Sequence, residues 1–163
     1  WFNCNQFHNP LNILAHYNTT GLEIWKQWKK LTPPDVLILG TGTGGTLMGC
    51  GRRLKEVWPN IKIVAVEPEE SAVMSGREPG LHGIQGIGDG SKFLVDLDFV
   101  DQVVTISTEH AKIKANQLAK IGLFVGISAG ANVLAAQEWL FKNNKKNAIT
   151  MLCDRGERYF SCL

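Results

Sequence analysis

Short apolar runs alternate with longer segments of helical spacing along the chain. Each run has the length of a strand and no regular polar positions, which is typical of strands buried on both faces. These runs predict strands at residues 35–40, 62–67, 102–106, 123–127 and 148–152. The helical spacing predicts helices at residues 9–17, 20–30, 45–57, 108–121 and 128–142, with a short helical turn at 70–74. The alternation predicts an α/β fold with a three-layer αβα arrangement, in which helices cover both faces of a mostly parallel sheet.

Two local patterns add detail to this arrangement. Thr20-Gly-Leu-Glu23 has the spacing of a capping box, in which the Thr and Glu side chains accept bonds from free N–H groups at a helix start. Residues 75–91 are rich in glycine and show no period, so we expect a long loop there. Loops of that length in compact domains are usually functional.

Composition narrows the class of protein. The 163 residues suit one domain, and 44% hydrophobic with 20% charged residues is typical of a soluble globular protein. A net charge of +2 argues against nucleic acid, and no apolar run is long enough for a membrane span. The four cysteines form no CxxC pair and have no histidine at metal-ligand spacing, which predicts no metal site and a reduced, cytoplasmic setting. Because the chain starts at Trp1 without a methionine, we interpret residues 1–163 as a single-domain piece of a longer protein.

The most unusual stretch is LGTGTGGTLMG at residues 39–49, which follows a predicted strand and opens a predicted helix. Glycine lets the backbone approach an anion, and a helix start offers free N–H groups and a positive dipole end. Gly40, Gly42 and Gly45 have the GxGxxG spacing of a dinucleotide site, and Glu67 lies where a ribose-binding acid would. A phosphate on a smaller ligand is one alternative, and a tight turn with glycines for packing is another.

A second glycine motif, Gly126-Ile-Ser-Ala-Gly130, has the GxSxG spacing of a hydrolase nucleophile elbow. Hydrolases of that kind place the catalytic histidine after the serine. Here every histidine precedes Ser128: His8, His16, His82 and His110. We therefore set the hydrolase aside and expect Ser128 either to cap a helix or to face the same ligand as residues 42–46.

Several ordered motifs resemble the cysteine synthase family, which comprises O-acetylserine sulfhydrylase and its relative cystathionine β-synthase. The motifs are Asn5-Gln-Phe-His-Asn-Pro-Leu-Asn12 with His16, Thr19-Thr-Gly-Leu-Glu-Ile-Trp25, Gly42-Thr-Gly-Gly-Thr46, Val66-Glu-Pro-Glu-Glu-Ser71, Gly80-Leu-His-Gly-Ile-Gln-Gly-Ile-Gly88, Gly126-Ile-Ser-Ala-Gly-Ala131 and Arg155-Gly-Glu-Arg-Tyr159. The resemblance runs from Gln6 to Tyr159. It implies the tryptophan synthase β-subunit-like fold of pyridoxal-phosphate enzymes, of which this chain would be the larger C-terminal subdomain.

The resemblance implies pyridoxal 5'-phosphate as the cofactor. The family loop that holds the cofactor phosphate matches Gly42, Thr43, Gly44, Gly45 and Thr46. Backbone N–H groups with two hydroxyls supply enough donors for a phosphate dianion, whereas a dinucleotide would leave the threonines unused. The family serine that bonds the pyridine nitrogen matches Ser128. Glu67 then becomes a structural residue.

The resemblance also implies a substrate pocket. The family's pocket residues match Gln6, Phe7, Gly86, Ile87 and Gly88. His16 and Tyr17 are interpreted as packing residues. The loop at residues 83–90 matches the segment beside the active-site entrance, where glycines permit movement.

The family's cofactor-binding lysine has no counterpart in the chain. In the family this residue binds the cofactor covalently and lies in an Asn-Pro-rich segment upstream of the region present here. The family's Ser/Thr-Gly-Asn loop for the substrate carboxylate is missing as well. No catalytic residue is therefore assigned in this chain, and the fragment alone is predicted to be inactive.

The implied activity is conversion of O-acetylserine and sulfide to cysteine and acetate. Alternatives are a cystathionine β-synthase acting on serine, a serine or threonine dehydratase, a non-catalytic binding module, or an NAD(P)-binding domain. The family implies a homodimer and docking of the C-terminal tail of serine acetyltransferase. Two departures leave subfamily and substrate open: Ser91-Lys-Phe-Leu-Val95 replaces a Phe followed by Pro, and Cys153 replaces a Pro near the cofactor ring.

Overall fold

The computed structural model describes residues 1–161 and contains one parallel sheet of four strands. The strands are β1 (Val36–Gly40), β2 (Lys62–Pro68), β3 (Gln102–Ile106) and β4 (Ala148–Ile149). Their order across the sheet is β3-β2-β1-β4, with Leu37 of β1 opposite Ile63 of β2 and Ile149 of β4. The predicted α/β class with a parallel sheet is confirmed.

The helices cover both faces of this sheet. They are α1 (Leu11–Asn18), α2 (Thr20–Trp28), α3 (Gly45–Val57), α4 (Thr108–Lys120) and α5 (Ile127–Lys142), with short 3-10 turns at Glu69–Ser71 and Gly156–Tyr159. Leu37 and Leu39 of β1 pack against α3, while Val36 and Ile38 pack on the opposite face against α5. Because successive strand side chains alternate between faces, an unbroken apolar strand fills both cores.

Residues 123–127 were predicted to form a strand, and this prediction is wrong. The segment makes one antiparallel bridge, between Val125 and Arg155, and joins no strand of the sheet. Leu123 and Phe124 are partly exposed, so the apolar run does not mark a strand buried on both faces. Instead, the Gly126 N–H donates to the Asp154 carbonyl at 3.0 Å, and this pairing sets the entry into α5.

The last strand is shorter than the predicted 148–152, because a side chain interrupts its ladder with β1. Asn132 of α5 accepts from the Gly40 N–H at 2.6 Å and donates through Nδ2 to the Met151 carbonyl at 2.9 Å. The Thr150 hydroxyl donates to the Ile38 carbonyl at 2.7 Å. These side chains replace backbone pairing beyond Ile149 and hold the C-terminal segment beside the end of β1.

The predicted capping box is also wrong. The residue that caps α2 is Thr19, without a side-chain cap bond, and its hydroxyl donates to the Ala15 carbonyl at 2.7 Å. The Thr20 hydroxyl is bonded to His16 Nδ1 at 2.9 Å rather than to a free N–H group. Thr19 alone separates α1 from α2, and its N–H donates to the Ala15 carbonyl at 3.0 Å, so the chain passes from one helix to the next without the box.

The long loop predicted at residues 75–91 is present and continues without helix or strand to β3. Within residues 1–161, no helix combines the length and apolarity needed to cross a bilayer. The same residues contain no cluster of three or more metal-ligating side chains. Three of the four cysteines, Cys4, Cys50 and Cys153, are free thiols, and Cys162 lies outside the described residues.

Candidate functional site

A cavity of about 520 Å³ opens at the carboxyl end of β1, beside the loop at residues 83–90 that follows β2 in the chain. Ligands of parallel α/β sheets bind at this edge, because the loops that follow the strands converge there. The lining residues are Gln6, Phe7, Gly40, Gly42, Thr43, Gly44, Thr46, Leu47, Gln85, Gly86, Ile87, Asp89, Ser128, Cys153, Asp154 and Arg158. The two glycine motifs thus face one cavity, as the sequence suggested.

The loop between β1 and α3 needs glycine for its shape. Gly44 precedes the helix with φ of +87°, a left-handed conformation that L side chains rarely adopt. A Cβ on Gly42 would lie 2.8 Å from the Gly86 carbonyl, and one on Gly45 would lie 1.9 Å from Asn12 Oδ1. The loop is therefore a close-fitting cradle, enclosed by the 83–90 loop on one side and by α1 on the other.

This cradle presents a set of hydrogen-bond donors. The side chains of Thr43 and Thr46 line the cavity. Within residues 1–161, the backbone N–H groups of Thr46 and Leu47 have no protein acceptor, because they belong to the first turn of α3. Two hydroxyls, free N–H groups and the positive end of a 13-residue helix dipole suit an anion such as phosphate.

Ser128 lies across the cavity from the cradle. It is the second residue of α5 and only 3% exposed, while Gly126 occupies the cap position, so Ser128 does not cap the helix. Its hydroxyl contacts the Cys153 thiol. Cys153 is exposed as a whole residue, but desolvation of its thiol in the cavity wall raises the pKa, the Asp154 charge raises it further, and hydrogen bonds with Ser128 and Asn132 partly oppose this. The thiol is therefore protonated at neutral pH and forms a neutral wall beside the serine.

Asn132 is the structural residue that the sequence reasoning missed. It is 1% exposed and joins β1 to the segment that carries Cys153, with its Nδ2 3.7 Å from that thiol. Its signal was present in the sequence: one amide in the otherwise apolar helix ISAGANVLAA, four residues after Ser128. Four residues is one helical turn, so both side chains point the same way.

The Arg155–Tyr159 motif contributes through its packing. The Tyr159 hydroxyl donates to Asp154 Oδ2, and burial together with Asp154 raises the pKa of Tyr159 to about 12. Asp154 Oδ1 is buried and has no hydrogen-bond partner within residues 1–161. It sits against Gly126, where a Cβ would collide with it. The motif thus fixes the turn that closes the cavity beside Ser128, and Arg158 lines the opening.

Glu67 is not available to bind a ribose. The side chain is 1% exposed and accepts bonds from the Met74 N–H at 2.8 Å, the Ser75 N–H at 3.0 Å and the Ser75 hydroxyl at 2.5 Å. The carboxylate holds the turn after β2 and does not reach the cavity. The expectation of a structural role is confirmed, and the dinucleotide alternative loses its ribose ligand.

The candidate substrate residues divide into two groups. Gln6, Phe7, Gly86 and Ile87 line the cavity, and the Phe7 ring lies 4.7 Å from that of Phe93. Gly88 lies behind the wall, where its N–H donates to the Thr41 carbonyl at 3.0 Å. Among the phosphate candidates, the Gly45 position is likewise outside the lining, turned toward α1.

Two residues interpreted as packing residues have polar roles instead. The Tyr17 hydroxyl donates to Glu56 at 2.6 Å, and its ring lies 4.8 Å from the Arg53 guanidinium on the surface. His16 projects from α1 and is hydrogen-bonded to Thr46 of α3 and to Thr20 of α2. Neither residue is a simple core contact.

No lysine is found among the residues that line the cavity within the described part of the chain. Lys55 and Lys62 pair with Asp101 at the far end of β2, and Lys145 pairs with Asp35. The charged lining residues are Asp89, Asp154 and Arg158. The cavity therefore offers anion donors and a buried hydroxyl, but no amine that could react with a carbonyl compound.

Comparison with known proteins gives consistent results. Residues 1–154 match the family model described as "Pyridoxal-phosphate dependent enzyme". The chain is 41% identical over 166 residues to a cysteine synthase of Staphylococcus aureus, covering 99% of this chain and 53% of that protein. It is 44% identical over 161 residues to cysteine synthase B of Campylobacter jejuni, covering 98% of this chain and 53% of that protein.

A solved structure agrees with these relatives. The crystal structure of cysteine synthase from Entamoeba histolytica superposes with a TM-score of 0.92 at 41% identity. The match covers 99% of this chain and 48% of that one. The chain thus spans about half the length of the curated relatives it matches.

Proposed function

This chain belongs to the family of pyridoxal-phosphate dependent enzymes, and we propose that it forms the cofactor-binding C-terminal part of a cysteine synthase. The complete protein converts O-acetylserine and sulfide to cysteine and acetate. One observation carries the proposal: Thr43, Thr46 and the free N–H groups of α3 face the same cavity as the buried Ser128. Relatives named cysteine synthase support the reaction.

The residues fit the cofactor. Gly42, Thr43, Gly44, Gly45 and Thr46 would hold the phosphate, since the cradle excludes Cβ atoms and supplies neutral donors. Ser128 would donate its hydroxyl proton to the pyridine nitrogen. When bound, pyridoxal phosphate withdraws electrons from the α-carbon of an amino acid, which permits exchange of the group at its β-carbon.

Ser128 limits the strength of that electron withdrawal. A serine hydroxyl keeps its proton at neutral pH and donates one hydrogen bond, whereas a carboxylate at this position would hold the ring nitrogen protonated. The neighbouring Cys153 thiol is neutral as well. A moderate electron sink suits loss of a good leaving group such as acetate, followed by addition of sulfide.

The substrate side of the site is incomplete in this chain. Gln6, Phe7, Gly86 and Ile87 line the space beside the cradle and would contact the amino-acid substrate, with Gly88 shaping the loop from behind. With no lysine in the cavity, the amine that binds the cofactor and moves the α-proton must come from an N-terminal half. The proposal therefore treats residues 1–163 as a single C-terminal domain of a longer protein.

The wider setting belongs to the same proposal. The family resemblance implies a homodimer and docking of the serine acetyltransferase tail, and the scattered cysteines suggest a reduced, cytoplasmic location. The free thiols of Cys4, Cys50 and Cys153 support the reduced setting. Half a site should bind the acetyltransferase tail poorly, so this partner requires the complete protein.

The complementing half should restore both cofactor retention and activity. Purified chain mixed with pyridoxal phosphate should lose its visible cofactor absorbance on gel filtration and release no cysteine from O-acetylserine and sulfide. A chimera with the N-terminal part of the Campylobacter jejuni cysteine synthase B, up to the aligned region, should retain the absorbance and produce cysteine.

Two results would contradict this proposal. Borohydride fixation of the cofactor to one specific lysine of the isolated chain would show that the chain carries its own amine. Tight binding of NAD to the chain would favour the dinucleotide alternative. The matched control is the chimera with its N-terminal cofactor-binding lysine replaced by alanine, which should fold but neither retain the cofactor nor form cysteine.

Ser128→Ala in that chimera should retain the cofactor and slow the reaction. Loss of one neutral hydrogen bond costs about 0.5–1.5 kcal/mol, so cysteine formation should fall by about tenfold or less. The cofactor absorption band should also shift, because the ring nitrogen loses its donor. Ser107→Ala is the control: this serine caps α4 by accepting from the His110 N–H at 3.3 Å, so its loss costs similar stability away from the cavity. A collapse of activity as complete as that caused by deleting the lysine would instead make Ser128 a nucleophile.

A further inference from the structure

Helix α1 places two polar side chains behind the two threonines of the cradle. Asn12 and His16 are four residues apart and therefore project from the same face of α1. Asn12 Nδ2 donates to Thr43 Oγ1 at 3.0 Å, and His16 Nε2 lies 3.2 Å from Thr46 Oγ1. Each of the two threonine hydroxyls thus has a side chain of α1 as a partner.

The contacts of Thr43 determine where its proton points. A hydroxyl has two acceptor positions and one proton. Thr43 Oγ1 accepts from Asn12 Nδ2 and from the Gly45 N–H at 3.3 Å. The orientation of the Asn12 amide is fixed, because its Nδ2 also contacts the Gln6 carbonyl at 2.9 Å and a carbonyl can only accept. Both acceptor positions are filled, so the Thr43 proton is left for the cavity.

The contacts of Thr46 depend on the tautomer of His16. Burial lowers the pKa of His16, so the ring is neutral and carries one proton. With the proton on Nε2, His16 donates to Thr46 and accepts from the Thr20 hydroxyl, 2.9 Å from Nδ1. With the proton on Nδ1, the Thr46 hydroxyl would donate back to Nε2 and turn its proton away from the cavity.

We propose that Asn12 and His16 are positioning residues that direct the hydroxyl protons of Thr43 and Thr46 toward a bound phosphate group. Anion binding then selects the His16 tautomer protonated on Nε2, in which the Thr20 hydroxyl donates to Nδ1. The inference rests on the proposed function, in which this cradle holds the cofactor phosphate. It adds that α1 presets the donor of Thr43, whereas at Thr46 the donor appears when the anion selects the His16 tautomer.

The test uses inorganic phosphate as the probe and the complete 163-residue chain. Long-range proton–nitrogen NMR correlations of the His16 ring report its tautomer, and amide shifts of residues 42–47 report phosphate affinity. On saturation with phosphate, His16 should be protonated on Nε2 alone. A ring that stays protonated on Nδ1 in the phosphate complex would overturn the proposal.

Two substitutions of His16 separate positioning from packing. His16→Gln can place an amide donor near the Nε2 position and should keep phosphate affinity within about threefold. His16→Asn reaches only the Nδ1 position beside Thr20 and should weaken phosphate binding by about threefold to tenfold. Equal affinities of the two variants, at matched thermal stability, would overturn the proposal.

The Asn12 half of the proposal has its own pair of variants. Asn12→Asp cannot donate to Thr43 and would take its proton instead, so phosphate affinity should fall by about tenfold or more. Asn9→Asp adds the same charge near the start of α1, where Asn9 Oδ1 accepts from the Leu11 N–H, and should have a much smaller effect. Equal losses of phosphate affinity in the two variants would show that the added charge alone causes the loss, and would overturn the positioning role of Asn12. If the unmodified chain shows no amide shifts with phosphate at all, the proposed phosphate site itself fails, and this inference falls with it.

Discussion

Gly49→Ala should separate α1 from α3 and weaken phosphate binding by the cradle. A Cβ on Gly49 would lie 2.4 Å from the Ile13 carbonyl oxygen and 2.8 Å from the Tyr17 backbone nitrogen. Backbone atoms cannot yield as a flexible side chain does, so α1 must move and carry Asn12 and His16 away from the threonines. We expect the free energy of unfolding to fall by about 1–3 kcal/mol in urea titrations. Phosphate affinity should fall by about tenfold or more.

Gly51→Ala is the matched control for this prediction. It lies half a turn further along α3, and its added Cβ would come no closer than 3.1 Å, to the Phe99 ring. Alanine is favoured over glycine in a helix by about 1 kcal/mol, so this variant should be unchanged or slightly more stable and should bind phosphate normally. If Gly49→Ala gained stability as Gly51→Ala does, the close contact between α1 and α3 would be refuted.

Asn132→Ala should destabilise the fold and open the wall that carries Cys153. The substitution leaves the Gly40 N–H and the Met151 carbonyl without their partner in a buried site. An unsatisfied buried polar group costs about 1–3 kcal/mol, so with two such groups the free energy of unfolding should fall by about 2–6 kcal/mol. Amide hydrogen exchange of residues 151–153 should become faster, since this segment loses its attachment to β1.

Thr150→Val is the comparison for the Asn132 substitution. It removes the other side-chain bond across the same gap, to the Ile38 carbonyl, but keeps the shape of the side chain. The expected loss is about 1 kcal/mol, with amide hydrogen exchange of residues 151–153 nearly unchanged. Equal destabilisation by the two variants would show that Asn132 is not the main link between β1 and the C-terminal segment.

The strands that could be predicted are those whose burial has one simple cause. Residues 36–40 and 63–66 are continuous apolar runs with helices on both sides, and the structure confirms both as parts of strands. Residues 123–127 look the same in sequence, but Leu123 and Phe124 point outward and the segment pairs with Arg155. Apolar content alone does not reveal on which side a segment lies. That information comes from the tertiary contacts of Gly126 with the Asp154 turn.

The site was predictable to the extent that it follows from motifs. The family resemblance is confirmed by the relatives, and the two glycine motifs share one cavity. What the motifs did not reveal are the residues behind the ligand-facing ones: Asn12, His16 and Asn132. Their roles depend on which helix packs against the cradle, and a single sequence does not encode that pairing in a local pattern. Gly45 and Gly88 were predicted to lie at the site but do not line the cavity, because each faces a neighbouring element instead.

In the strand order β3-β2-β1-β4, one edge of the first strand, β1, pairs only with the last strand, β4. β1 and β2 are neighbours in sequence, and β3 follows them, so these three strands can pair as the chain emerges. Val36 and Leu37 receive their other partners only from Ala148 and Ile149, more than 100 residues later. Loop closure over that distance is slow, and an apolar strand with a free edge can pair with another chain meanwhile. During synthesis, β1 is therefore the segment of this chain most exposed to aggregation, and protection of that edge by a chaperone would matter most before residue 149 is made.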